Sequence, residues 1–504
     1  MALASAAVTL FSSLFYDALG HCAMSYSFLW HDYETFGADT RRDRPAQFAA
    51  IRTDAQLNEI GEPLMLYCQP TNDYLPDPVS CLITGITPQM AWQRGIPERE
   101  FAQRIEAEMA QPGTISVGYN SIRFDDEITR FMLWRNLADP YAREWQNNCG
   151  RWDLMDVVRM VFALRPDGIV WPTKEDGTAS FKLEDLTRAN GLVHEAAHDA
   201  LSDVRATIAL ARLVRQQQPK LFDFALALHK KDRVADELHL PATAQTARPF
   251  LHVSGMFGVE RGCLAVMWPL ASHPTNKNEI IAWDLAQDPS ELATLSVEQL
   301  RLRMFTRTAD LPEGVKRLPI KTIHLNKSPM VVSNLKTLNP AMAQRWGIDM
   351  DAAMAHAAVA RDLPDMTLLW KAVFARQPEP GAPTDPEQDL YAGFVGNGDR
   401  HRLNELRTMG AAQLAQAKTS FDDPRLTELL WRYRARNFAD TLSPEEQQRW
   451  EAHRKARLID GAGGARTAEQ LLAQIDALSE SADERGQDIL GELYDYASEI
   501  APER

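Results

Sequence analysis

The chain has 504 residues, enough for two to four domains at roughly 100 to 200 residues each. Apolar residues make up 45% and charged residues 24%, and no run approaches the roughly 18 uninterrupted apolar residues of a membrane-spanning helix, so an integral membrane protein is excluded. With 54 Lys plus Arg against 69 Asp plus Glu the net charge is −15, so a polyanionic partner must be held by local basic patches or by bound cations.

Met1 to Ser25 form a small, mildly apolar leader with no Lys or Arg before its apolar part, which does not suit a signal peptide. Met24 stands just before the run Tyr26-Ser27-Phe28-Leu29-Trp30, so a start placed too early explains the leader, and Met1 to Ala23 are expected to be loosely ordered. Strands are predicted at 26–32, 46–53 and 62–68 as a meander, then a Pro-rich turn at Leu75 to Pro78. A helix at 98–109, a strand at 114–119, and helices near 124–136, 152–164, 181–190 and 198–216 follow, an α/β unit over 26–219. Strand-like runs at 250–256, 263–270, 280–285 and 319–325 predict a smaller β-rich unit over 220–370. Pro378, Pro380, Pro383 and Pro386 mark a stiff linker, and the pattern to the C-terminus, in a unit taken as 371–504, is almost wholly helical. The five cysteines, Cys22, Cys68, Cys81, Cys149 and Cys263, are scattered and lack CxxC spacing, which fits a reducing cytoplasm.

The chemistry gathers in three segments. In Phe28-Leu29-Trp30-His31-Asp32-Tyr33-Glu34-Thr35, the period-two geometry of a strand points Asp32 and Glu34 the same way, and such a pair repels unless a cation neutralises it. An isolated DxE is more often a solvated strand end. After the strand 115–119, Asn120-Ser121-Ile122-Arg123-Phe124-Asp125-Asp126-Glu127 places carboxylates at a helix start, where Asp126 and Glu127 read simply as acids favoured by the helix dipole. His198-Asp199-Ala200-Leu201-Ser202-Asp203 opens a long helix with Asp199 and Asp203 on one face, a like-charge pair that a bare helix disfavours.

The order DxE, NxxxFD, HxxxxD resembles the DEDDh 3′ to 5′ exonuclease superfamily, whose ribonuclease-H-like domain uses these acids to hold two divalent metals. His31-Asp32-Tyr33-Glu34-Thr35-Phe36-Gly37, Ile83-Thr84-Gly85-Ile86-Thr87, His252-Val253-Ser254-Gly255-Met256-Phe257-Gly258 and Tyr433-Arg434-Ala435-Arg436-Asn437-Phe438 carry the resemblance further, to the bacterial exonuclease I family. It implies an SH3-like second unit, a helical third unit, and hydrolysis of single-stranded DNA from the 3′ end to nucleoside 5′-monophosphates, in repair and recombination. Asp32, Glu34 and Asp203 would be ligands to two Mg²⁺ ions, with Mn²⁺ able to substitute, Asp125 would complete the site directly or through water, and His198 would be the general base. Hard carboxylate oxygens suit those ions, and an imidazole titrates near neutral pH. Glu34 and Lys182 would also touch the substrate.

Basic and aromatic groups interleave at Arg130, Tyr141, Trp145, Arg151 and Arg159, the mixture a single-strand groove needs. Each has an ordinary alternative: Arg159 a salt-bridged helix face, Tyr141 and Trp145 core residues, Lys182 a surface lysine. The resemblance adds Asn278, Lys327, and Arg432, Arg434 and Arg436 beside Trp431 and Tyr433 as groups along a DNA path. It further implies a monomer that binds the acidic C-terminal tail of single-stranded-DNA-binding protein. Leu338-Asn339-Pro340 departs from the basic residue of the family pattern, so that pocket is left unassigned. The rival readings are a DEDDh exoribonuclease trimming short RNA, against which the added 280 or so residues speak, and a silent DNA-binding scaffold, against which all five filled positions speak.

Overall fold

A computed structural model describes residues 26–194, 199–242, 246–375 and 384–502. The leader and His198 lie outside the described residues. Six strands, β1 (Ser27–Thr35), β2 (Pro45–Thr53), β3 (Leu64–Gln69), β4 (Ile96–Pro97), β5 (Thr114–Gly118) and β6 (Gly150–Asp153), form a sheet in the order β4-β3-β2-β1-β5-β6. β1 pairs antiparallel with β2 and parallel with β5, so it is an interior strand with both faces covered. Alternate residues therefore enter different cores: Phe28 and Trp30 pack with Val204, Ile208 and Ala211 of helix Ala200–Gln217, whereas Leu29 and Tyr33 pack with Phe101 and Ile128 on the other side. By the same alternation Asp32 and Glu34 continue the Phe28–Trp30 face, toward helix Ala200–Gln217.

The predicted meander, helix 98–109 and the strand near 114–119 are present with small shifts of boundary. The Pro-rich turn instead holds two helices, Pro78–Thr84 and Pro88–Arg94. Each starts with proline after a side-chain cap, Asp77 accepting from the Val79 amide and Thr87 from the Met90 amide. Proline is tolerated there because the first helical N–H has no partner to lose.

The second sheet, in the order β10-β9-β8-β7-β11, comprises β7 (Phe250–Val253), β8 (Leu264–Ser272), β9 (Glu279–Asp284), β10 (Ile320–His324) and β11 (Met330–Val332), all pairings antiparallel. Helices Val297–Phe305, Pro340–Arg345, Met350–Arg361 and Thr367–Val373 surround it, elements that the strand pattern alone left unread. The two sheets share one continuous apolar core. Trp346 stands at the join, its ring 4.9 Å from that of Phe162 and its indole N–H donating to the Ala163 carbonyl at 2.9 Å.

From residue 397 the described chain is helical, ending in Ala468–Ser479 and Glu484–Ile500, which pack on Phe36, Tyr74 and Cys81 of the first unit. Beneath them Asp73 and Glu387 lie buried among Arg44, Arg432, Arg436 and Arg457. Among the described residues no helix is long and apolar enough to cross a membrane. Cys68, Cys81, Cys149 and Cys263 are buried free thiols.

Candidate active site

Asp32 and Glu34 at the end of β1 meet Asp203 from the first turn of helix Ala200–Gln217, with one oxygen of each carboxylate within 4.8 Å of the others. Asp199 is the N-cap of that helix, accepting from the Ser202 amide at 3.2 Å, and so serves the ordinary capping role. Asp125 opens helix Asp125–Arg135 and is buried beside the triad, its Oδ1 accepting from the Tyr33 amide at 3.1 Å.

Burial and the close approach of these acids suppress the ionisation of Asp32, Glu34 and Asp125. Burial, then Asp125, Glu34 and Asp203, push Asp32 well above the carboxylate range. Burial, then Asp203, Asp125 and Asp199, push Glu34 up to about 8, and burial foremost raises Asp125 to about 8. Cationic charge is what this donor set lacks, and hard oxygens at this spacing fit a divalent cation of the Mg²⁺ or Mn²⁺ type.

His194 is the described imidazole nearest the acids, its Nε2 2.5 Å from Asp203 Oδ1 and its Nδ1 3.3 Å from Thr187 Oγ1. Sequence spacing marks His198 through HxxxxD and gives His194 no comparable signal. Asp126 also does more than favour a helix dipole. Burial alone would raise its pKa, but Arg143 at 2.7 Å and Arg151 at 2.9 Å hold it well below the carboxylate range.

A groove of about 750 Å³ is bordered by Ile122, Arg123 and Glu127, which flank Asp125 in sequence. Of the expected substrate contacts, Arg130, Tyr141, Asn278 and Lys327 line it. The Arg130 guanidinium is engaged by Glu144 at 2.7 and 2.9 Å and by Glu127 at 2.7 Å, so it offers little free charge. Asn278 accepts through Oδ1 from Lys231 Nζ at 2.6 Å. Trp145 is 65% exposed, which rules out the core alternative. Arg159 pairs with Asp156 at 2.7 Å, as its salt-bridged alternative supposes, and Lys182 is exposed just before helix Leu183–Ala189.

Two expectations are corrected. Arg151 is buried, bound to Asp126 and to the Asn326 carbonyl, and so is a structural cation. Arg432 and Arg436 are committed to Asp385, Glu387 and Asp73, and Arg434 to Glu446, while Trp431 and Tyr433 are buried. On that arginine-rich helix face Arg436 holds the third unit to the first through Asp73, and Arg432 and Arg434 are paired within the third unit. Conversely, Met256, Lys321, Tyr391 and Phe394 line the groove and were missed. Met256 and Phe394 are 74% and 80% exposed. Their only signal was an apolar side chain in a loop, which periodicity does not register.

An interior-strand DxE, a helix-borne aspartate opposite it and a neighbouring buried aspartate on a β-sheet of this order define an exonuclease of the ribonuclease-H-like fold. Family models agree along the chain: "Exonuclease" matches 29–211, "Exonuclease I SH3-like domain" 229–376 and "Exonuclease I C-terminal domain" 384–500. Exodeoxyribonuclease I of Escherichia coli strain K12 is 44% identical over 480 residues, 94% of this chain and 98% of that protein. Among solved structures, a moderately thermophilic exonuclease I from Methylocaldum szegediense superimposes with a TM-score of 0.88 at 48% identity, covering 94% of this chain and 99% of the other. E. coli exonuclease I in complex with a dA16 oligonucleotide gives 0.85 at 41% identity, covering 94% and 100%. An ExoI/SSB-Ct complex gives 0.86 at 42%, covering 94% and 99%. The chain belongs to the exonuclease I family and is a nuclease hydrolase with a divalent-metal site.

Proposed function

We infer that the protein degrades single-stranded DNA from the 3′ end to nucleoside 5′-monophosphates, in DNA repair and recombination, with two Mg²⁺ ions for which Mn²⁺ can substitute. The observation that carries this reading is the mutual 4.8 Å approach of Asp32, Glu34 and Asp203 near a groove lined by Tyr141, Tyr391 and Phe394. The names and ligands of the relatives support it, a dA16 oligonucleotide in one and an SSB-Ct segment in another. By the second of these the partner is the acidic tail of single-stranded-DNA-binding protein. Buried unpaired thiols favour a reducing cytoplasm.

When bound, the divalent ions polarise the scissile phosphoryl group and offset its charge. The chain's own groups do the rest. Asp32, Glu34 and Asp203 would hold the ions from two rigid elements, and Asp125 is fixed beside them by the Tyr33 amide. His198 supplies the ring nitrogen that takes the proton of the attacking water. Exposed Trp145 and Phe394 would offer flat faces for bases, Asn278 and Lys327 of the groove would meet phosphates, and Lys182 outside it would extend the cationic path. Asp32→Ala tests the site on a 5′-labelled single strand with Mg²⁺. The wild type should shorten the strand and the folded variant should leave it whole. Normal turnover by the variant contradicts the metal-site assignment.

A further inference from the structure

The groove has three walls from three parts of the chain. One comes from the first unit, with Glu127 and Arg130, one from the second sheet and its loops, with Asn278 and Lys327, and one from the segment after the proline-rich linker, with Tyr391. Glu127 touches all three. Its Oε1 takes a 2.7 Å bond from Arg130 within its own helix and lies 3.8 Å from Lys327 Nζ, and its Oε2 accepts from the Tyr391 hydroxyl. Arg130 also donates to the Tyr391 hydroxyl at 3.1 Å while Glu144 holds its other edge. Tyr391 is otherwise lightly anchored, 48% exposed with its ring edge-on to Phe131. The loop of Lys327 is also tied to the first unit by Arg151 on the Asn326 carbonyl at 3.1 Å, and the segment of Tyr391 by Trp134 on the Pro386 carbonyl at 2.8 Å. Within the groove, however, Glu127 is the carboxylate that meets both Tyr391 and Lys327, and charge-assisted bonds of this kind exceed neutral ones in strength.

We propose that Glu127 is a positioning residue for strand retention: by joining Tyr391 and Lys327 to helix Asp125–Arg135 it keeps the walls together around a bound single strand. This rests on the reading of the groove as the DNA site. A strand lying between the walls leaves sideways only when they part, so the bond from Glu127 to Tyr391 sets how many nucleotides are removed per encounter. Because the same helix begins with Asp125, the wall and the acids move as one body.

The test measures release of a long labelled thymidylate strand from the full-length protein, in EDTA to stop hydrolysis, after adding excess unlabelled strand. Glu127→Gln, Tyr391→Phe and the double variant are compared with wild type. Tyr391→Phe removes one oxygen and keeps the contact with Phe131, so it preserves the fold. Tyr391→Phe should release about 10- to 150-fold faster, the range for loss of a hydrogen bond to a charged group, and Glu127→Gln should speed release less, because its amide oxygen still accepts from the hydroxyl. The double variant should fall within about twofold of Tyr391→Phe, because the charge of Glu127 acts on that wall through the Tyr391 hydroxyl, which Tyr391→Phe already lacks. Multiplying effects would show that each residue touches the strand separately, and unchanged release would show that the bond retains nothing; either result overturns the proposal. A wild type that does not hold the strand overturns the groove reading as well.

Discussion

Replacing Glu34 with glutamine keeps the shape of a buried side chain and removes its charge. In the metal-free protein, burial and then Asp203, Asp125 and Asp199 raise this carboxyl from 4.5 to about 8. A carboxyl whose folded value lies above its unfolded value contributes its full stability below the unfolded value and loses it as pH rises toward the folded one. Each tenfold preference is worth about 1.4 kcal/mol, so the interval from 4.5 to pH 7 corresponds to about 3 kcal/mol. The glutamine does not incur that loss. For 504 residues melting as one unit, an unfolding entropy of about 1 kcal/mol/K makes this a Tm increase of about 3 °C at pH 7 in EDTA. Near pH 4.5 the two proteins should nearly coincide. With Mg²⁺ the order should reverse, since the wild type gains the binding energy of the ion and the variant lacks a ligand. Differential scanning fluorimetry across pH, with EDTA or Mg²⁺, measures both effects. A variant that melts below wild type in EDTA at pH 8, or a wild type whose melting responds to neither pH nor metal, would refute the account of the acids.

Other expectations follow from the same physics. His198→Ala should retain Mn²⁺ affinity, measured by calorimetry, while the hydrolysis rate falls on the order of 10²- to 10⁴-fold; loss of metal affinity would make His198 a ligand. Trp346→Ala should cost about 3 to 5 kcal/mol in denaturant titrations, because the ring fills the join between the two sheets, and both should still unfold together. Burial alone would raise the pKa of Asp73, but Arg436, the His453 bond and Arg457 hold it well below 3.8. Its stabilisation is present above 3.8 and lost as pH falls below it, so acid should loosen the attachment of the C-terminal helices. Asp73→Asn should flatten that acid limb and cost about 3 to 5 kcal/mol at neutral pH.

Strand periodicity places Asp32 and Glu34 on one face, but it is the order DxE, NxxxFD, HxxxxD and its resemblance to the exonuclease superfamily that joined Asp203 to them. The helices Glu98–Met109, Leu154–Leu164 and Ala200–Gln217 were legible from their apolar periodicity. Short helices such as Pro78–Thr84 were not, since a proline reads as a break until its place after a capping Asp77 is known. Arg432 and Arg436 misled because a basic helix face looks the same whether it meets phosphate or the buried Asp73 and Glu387, which lie far off in the sequence. Glu127 illustrates the opposite failure. An acid in a first helical turn has a sufficient local explanation, and only the fold brings Tyr391 and Lys327 to it.

The central claim, metal-dependent removal of nucleotides from the 3′ end of single-stranded DNA, is tested most directly by one comparison of end labels. The same strand is labelled at either terminus and offered to the full-length protein with Mg²⁺ or EDTA, beside a duplex and an RNA of equal length. The 3′ label should appear at once as a mononucleotide and the 5′-labelled strand should shorten progressively, only with Mg²⁺, and with duplex and RNA largely spared. Early release of the 5′ label, equal hydrolysis of RNA, or cleavage in EDTA would contradict it.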